Sequence, residues 1–147
     1  MPAPPPSLIE GLATAAFQGA SLRGQDAPGI AKATAKTTAQ ALDLFMSMAM
    51  VLPGIPVAAD PITGSGATAG PGMLMPPPAG GPAEGMIRPL ALANLQAEGI
   101  RGQDAPKVAA LISGTIAQGL TLFCAQVMVS PGIAVAGFVT SAPGRLM

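Results

Sequence analysis

Arg23-Gly24-Gln25-Asp26-Ala27-Pro28 returns unchanged as Arg101-Gly102-Gln103-Asp104-Ala105-Pro106, 78 residues further along a chain of 147. Six identical residues in a biased composition are weak evidence alone, so the flanks decide. At the same offset, without a gap, Leu12-Ala13 aligns with Leu90-Ala91, Gln18 with Gln96, Ala39-Gln40 with Ala117-Gln118, and Leu44-Phe45 with Leu122-Phe123. Met50-Val51 then meets Met128-Val129, and Pro53-Gly54-Ile55 meets Pro131-Gly132-Ile133. About half of the pairs from 8/86 to 59/137 are identical. After a gap of six, Pro71-Gly72-Met73-Leu74-Met75 realigns with Pro143-Gly144-Arg145-Leu146-Met147. Self-similarity at a fixed offset marks one supersecondary unit used twice. Two copies are too few for a solenoid, so a pseudo-two-fold pair with equivalent faces packed together is expected.

Each unit reads as helix, loop, helix and extended arm. In residues 1–75 the first helix is expected over about 8–19, with Ser7 and Glu10 forming a capping box and Gly19 as a stop. Its counterpart in residues 86–147 is expected over about 89–98, with Pro89 in the first turn. The Arg-Gly-Gln-Asp-Ala-Pro loop reads as helix punctuation. Gly24 and Gly102 permit a left-handed turn, Asp26 and Asp104 are N-cap acceptors, and Pro28 and Pro106 suit a first turn. Arg23 and Arg101 flank these caps; Arg23 is a candidate ion-pair partner for Asp26 or Asp104. An arginine beside a helix N-terminus also has the makings of an anion site, but the motif explains itself as a cap. Arg23, Asp26, Pro28, Arg101, Asp104 and Pro106 are the candidate structural loop and interface.

The second helices are expected over about 28–52 and 106–129, ended by Pro53 and Pro131. A helix of that size is about 35 Å long. Ile30, Thr34, Thr37, Ala41, Leu44 or Phe45, Met48 and Leu52 make one stripe of helical period. Val108, Leu111 or Ile112, Ile116, Gly119 or Leu120, Phe123 and Val127 make the other. Arms follow over 53–75 and 130–147, joined through a Pro/Gly linker at 76–85. The fold class is therefore mainly α: two tandem helix–loop–helix repeats with extended Pro/Gly-rich arms.

Half of the chain is apolar, yet it holds four phenylalanines and neither tryptophan nor tyrosine. Small side chains let helices approach closely but bury little area each, at about 25 cal/mol per Å². Charged residues make up 10% of the chain, seven of each sign, against about 25% in an ordinary soluble domain. Too little core and too little charge together point to burial against other subunits, with a homo-oligomer, possibly a trimer, expected. Seven scattered basic residues form no stripe that could neutralise phosphates, so nucleic acid is not an expected direct partner. Met1-Pro2-Ala3-Pro4-Pro5-Pro6 has neither the basic nor the apolar region of a signal peptide, and none is expected.

The inventory argues against catalysis. There is no histidine, and hence no Ser-His, Cys-His or His-metal chemistry. The seven carboxylates, Glu10, Asp26, Asp43, Asp60, Glu84, Glu98 and Asp104, contain no closely spaced pair. Gly64-Ser65-Gly66-Ala67-Thr68-Ala69-Gly70 lacks the spacing and lysine of a phosphate loop. Cys124 aligns with Met46, and the cluster Met46, Met48 and Met50 keeps only Met128 in the other copy, so these read as packing fillers. No catalytic residue, cofactor or metal is expected.

The uncharged run Val108–Thr140 is long enough to span a bilayer. Its duplicate carries Lys32, Lys36 and Asp43 at matching depths, and such charges are costly in lipid. A buried interface is the preferred reading, and a membrane-associated oligomer the alternative. A third is a small adaptor binding through residues 76–82.

Pro53-Gly54-Ile55-Pro56-Val57, Thr63-Gly64-Ser65-Gly66-Ala67-Thr68-Ala69-Gly70-Pro71-Gly72 and their counterparts near the C-terminus resemble the arms of small structural proteins of tailed-phage virions and phage-like contractile particles. That resemblance implies a non-enzymatic subunit of a large symmetric assembly. Its partners would be itself and other structural proteins, in a virion or a particle assembled in the cytoplasm. Three copies in a ring would present six similar units.

Overall fold

The computed structural model describes residues 6–19, 24–137, 139–141 and 146. The protein is mainly α, with four helices and a smaller set of antiparallel strands. The helices are α1 (Pro6–Gly19), α2 (Ala27–Met48), α3 (Glu84–Ala97) and α4 (Ala105–Gln126). α1 and α3 have 14 residues each, α2 and α4 have 22 each, and each pair starts at positions 78 apart.

The helix starts differ from expectation in instructive ways. Pro6 opens α1, as its fixed φ and missing N–H suit a first turn. Ser7 therefore lies inside the helix, and the capping box with Glu10 is not formed. α3 begins at Glu84 rather than near 89, and Pro89 sits within it. Met86 and Ile87 both donate their N–H to the Ala83 carbonyl, so the first turn is complete before proline is reached.

α2 and α4 stop at Met48 and Gln126, ahead of Pro53 and Pro131. The reason lies in strand pairing. Leu52 N–H reaches Met73 O at 2.8 Å and Met75 N–H reaches Met50 O at 2.8 Å, with Val51 opposite Leu74. A ladder with a distant segment satisfies the same backbone groups that a further helical turn would, so the prolines are not what ends either helix.

The segments after α2 and α4 contain short strands: β1 (Val57–Ala59), β2 (Gly66–Thr68), β3 (Gly72–Met73), β4 (Met128–Val129), β5 (Ala134–Ala136) and β6 (Val139–Thr140). One antiparallel sheet has the order β1-β2-β5-β6; a second pairs β3 with β4. Hairpin registers also recur: Val57 faces Thr68 in β1–β2, and Val135 faces Thr140 in β5–β6. Strands equivalent in sequence do not pair with each other. β2 pairs with β5, and α2 lies between α1 and α3, with α3 in turn against α4. The expectation that equivalent faces pack together holds only at a small contact between α2 and α4, where Phe45 meets Phe123; the larger contacts join unlike segments.

Position in this row explains the burial pattern. α2 buries Ala31, Ala33, Ala35, Thr37, Ala39 and Ala41 because it has a neighbour on each side, and alanine lets both come close. The expected stripe members Ile30 and Thr34 are only half-buried. α4 has one main neighbour and buries one face: Ala105, Ala109, Ser113, Leu120 and Cys124. One apolar cluster joins Ala33, Ala91, Leu95 and Ala109. The other joins Ala41, Phe45, Leu74, Ile87, Leu120, Cys124 and Val129, and so draws on both halves of the chain. Gly80, Gly81 and Pro82, within the expected linker, are buried here too.

Candidate functional site

Asp26 and Asp104 both occupy the residue before the first helical turn, with near-identical backbone angles (φ −90° and −92°, ψ −6° in each). Their backbones do the capping. Asp26 O accepts from Ile30 N–H at 2.9 Å and Asp104 O from Val108 N–H at 3.0 Å. Neither carboxylate makes a side-chain cap bond, because at these α-like angles the side chain does not point back at the free amides. Asp104 is paired instead with Lys107 at 2.9 Å, on the open surface. Pro28 and Pro106 lie in the first turn as expected. Arg101 is exposed. Arg23 lies outside the described residues, and with it the proposed pairing. The loop is thus two like-built helix starts rather than one assembled site.

The polar chemistry lies between the halves. Glu98, at the end of α3, accepts from Lys36 Nζ at 2.6 Å and faces Lys32 Nζ at 3.5 Å. The hydrogen bond from Lys36, aided by the charge of Lys32, holds the Glu98 carboxyl below the usual range. Asn94 Nδ2 donates to Thr37 Oγ1 at 3.0 Å and to Gln40 Oε1 at 2.9 Å. A second link joins the sheets. Thr68 N–H donates to Ile133 O at 3.0 Å, Gly132 N–H donates to Thr68 O at 2.8 Å, and Ile133 N–H donates to Thr68 Oγ1 at 3.0 Å. Gly132 adopts φ +88°, so two residues of one strand face one of the other in a glycine bulge. Sequence reading missed this threonine. The signal was present, since Thr68 aligns with Thr140 at the offset of the realigned C-terminal segment.

Reactive groups are accounted for locally. Burial pushes the Cys124 thiol up, away from the thiolate. Asp60 is held below the usual carboxylate range by the N–H groups of Thr63 and Ile62, the bonds of a surface turn. Among the described residues no three His, Cys, Asp or Glu side chains converge as a metal site. An open groove of about 500 Å³ runs along α4 between Gly114, Gln118 and Leu122 on one side and Pro77 and Pro78 on the other. It contains one charged side chain, Glu84.

Exposed apolar surface is what remains. Leu111 is 71% exposed and Leu122 62% on α4; Leu12 is 66% and Leu8 57% on α1. Single exposed leucines are ordinary. Here they lie on the two outermost helices of the row.

The chain matches no protein-family model, no curated protein and no solved structure in the comparisons made.

Proposed function

We propose that the chain is a non-enzymatic structural subunit of a large symmetric assembly, built from two tandem helix–loop–helix repeats with Pro/Gly-rich arms. A component of a virion or phage-like particle is the setting its arms best fit. The observation that carries this reading is the exposed leucine surface on both outer helices, beside a polar chemistry spent on joining the two halves. A protein built to turn over a substrate needs converging reactive groups. Among the described residues of this one, two of the three ion pairs and the long-range side-chain hydrogen bonds lie at an internal joint. Its expected partners are further copies of itself, possibly in a trimer, and other structural proteins of the particle. Native mass measurement and gradient sedimentation of the chain expressed with its neighbouring gene products test the proposal. Co-migration with a particle of defined stoichiometry supports it, whereas a stable monomer that joins nothing sinks it.

One observation favours a second reading. α4 is long and apolar enough to cross a membrane, with a mean hydropathy of 1.7 over its most apolar stretch and only 28% of that stretch buried. Its counterpart α2 carries Lys32, Lys36 and Asp43, and lipid would have to accept one of two similar helices while rejecting the other. Carbonate-resistant pelleting with lipid decides between the readings. For the adaptor reading, Pro76, Pro78 and Ala79 are exposed, whereas Gly80, Gly81 and Pro82 are packed inside.

A further inference from the structure

Among the described residues the joint between the halves has an unfilled counterpart at the two ends of the molecule, and we propose that a second copy of this chain fills it. In that contact α1 and β1 of one copy lie against α4 and β6 of another, repeating the α3–α2 and β5–β2 contacts inside each chain. This rests on the tandem-repeat reading and gives it a specific interface.

The sheet supplies the register. Thr68 joins Gly132 and Ile133 across β2–β5. The equivalents at the open edges are Thr140 on β6 and Gly54 and Ile55 ahead of β1, so donors, acceptors and the hydroxyl are all retained. Gly54 has φ +99° where Gly132 has +88°, and the bulge conformation is therefore already formed at the free edge. Within its hairpin Thr140 faces Val135 as Thr68 faces Val57, and the bond beyond each pair recurs: Ser141 N–H to Ala134 O and Ala69 N–H to Pro56 O, both 2.8 Å. Alternation then turns the N–H and C=O of Thr140 outward. Pro56 replaces Ala134 at no loss, because that position directs its backbone groups into the hairpin rather than across the joint.

The helices supply the burial. On α2 the face toward α3 includes Ala33, Thr37 and Gln40; on α4 the equivalent row is Leu111, Thr115 and Gln118, followed by Leu122, all exposed. The ionic partners change as a set. Lys32, Lys36 and Glu98 form the internal ion pairs, and their equivalents are Ala110, Gly114 and Ala20. Asn94 likewise becomes Ala16. Both lysines are lost together with the carboxylate they pair with, which leaves a face of mixed leucine and polar residues; the charged side chain beside it is Glu84, next to Gly114. Such a contact joins unlike surfaces, so copies add head to tail and close into a ring only if the turn per copy allows. A trimer closes if each half turns the next by one sixth of a circle.

The test uses Leu111→Glu and Leu12→Glu, both at positions exposed in the single chain. Sedimentation velocity and native mass spectrometry should show wild-type oligomers larger than a dimer, and monomers for each variant. Mixing the two variants should give a one-to-one heterodimer and nothing larger, since one intact α4 face and one intact α1 face remain. Thr140→Pro, which spares the Ser141–Ala134 bond, should weaken association about fivefold to tenfold. Oligomers that persist in both glutamate variants overturn this interface while leaving a self-assembling structural subunit in place. A wild-type chain that stays monomeric, or that remains monomeric and binds phosphatidylglycerol vesicles through Leu111, overturns the interface and the structural reading together.

Discussion

Phe45 and Phe123 are the same residue at equivalent positions, and their surroundings make them energetically different. Phe45 is 2% exposed and Phe123 40%, with the two rings meeting edge to face at 5.9 Å. Truncating a buried phenylalanine costs about 3–5 kcal/mol. Phe45→Ala should reach that range in urea unfolding, and Phe123→Ala should lose less than half as much. Equal losses would mean that Phe123 is covered in solution. Glu98 gives the second prediction at this scale. Its carboxyl titrates below the usual range because Lys36, then Lys32, favour the charged form. A depressed folded-state value means the group stabilises the fold above the unfolded glutamate value of about 4.3. That contribution is lost as pH falls through the folded value. Glu98→Gln should flatten the acid limb of the thermal stability profile below that pH and be mildly destabilising at neutral pH. A mutant as acid-sensitive as wild type would disprove the linkage.

Among the elements, α3 carries an anomaly that a single substitution can probe. Pro89 lies past the first turn, where its missing N–H leaves the Gly85 carbonyl without its usual helical donor. Pro89 is exposed, so nothing in packing opposes its replacement. Pro89→Ala should stabilise by about 1–3 kcal/mol, read as a raised urea midpoint with unchanged slope. What was legible in the sequence divides at this scale. Helix number and order, the end of α1 at Gly19 and the prolines at the starts of α2 and α4 followed from local chemistry. The ends of α2 and α4 did not, because the residues that follow pair with segments far along the chain: Met50–Leu52 with Met73–Met75 after α2, and Met128–Val129 with Gly72–Met73 after α4. Nor did the buried alanines of α2, since a size-based stripe reports one face and this helix has two. Of the candidate residues, Asp26 and Asp104 were placed correctly as the residues before helices. Their side-chain role was not, as it depends on a backbone angle the sequence does not encode locally.

For the whole molecule the question is whether the halves are independent. The alignment invites that view, because the helices have equal lengths in pairs and start 78 residues apart. Packing opposes it. Ala41, Phe45 and Leu74 from the first half share one core with Ile87, Leu120, Cys124 and Val129 from the second. The joint adds the Glu98 ion pairs, the Asn94 bonds and the Thr68 bulge. A half chain would expose that core, and its small alanine-rich helices offer little else to bury. Residues 1–79 and 80–147 expressed separately should therefore lack cooperative melting by circular dichroism. Mixed, they should form a one-to-one complex that melts as one transition and protects Cys124, buried in the intact chain, from a water-soluble thiol reagent. Thr68→Val in the first fragment should weaken the complex, because the Ile133 N–H then loses its acceptor, at a cost of about 1–3 kcal/mol. Halves that each melt cooperatively as monomers would show that the joint is a docking of finished domains. In that case Cys124 would already be protected in the second fragment alone, and Thr68→Val would change affinity without changing either melting curve.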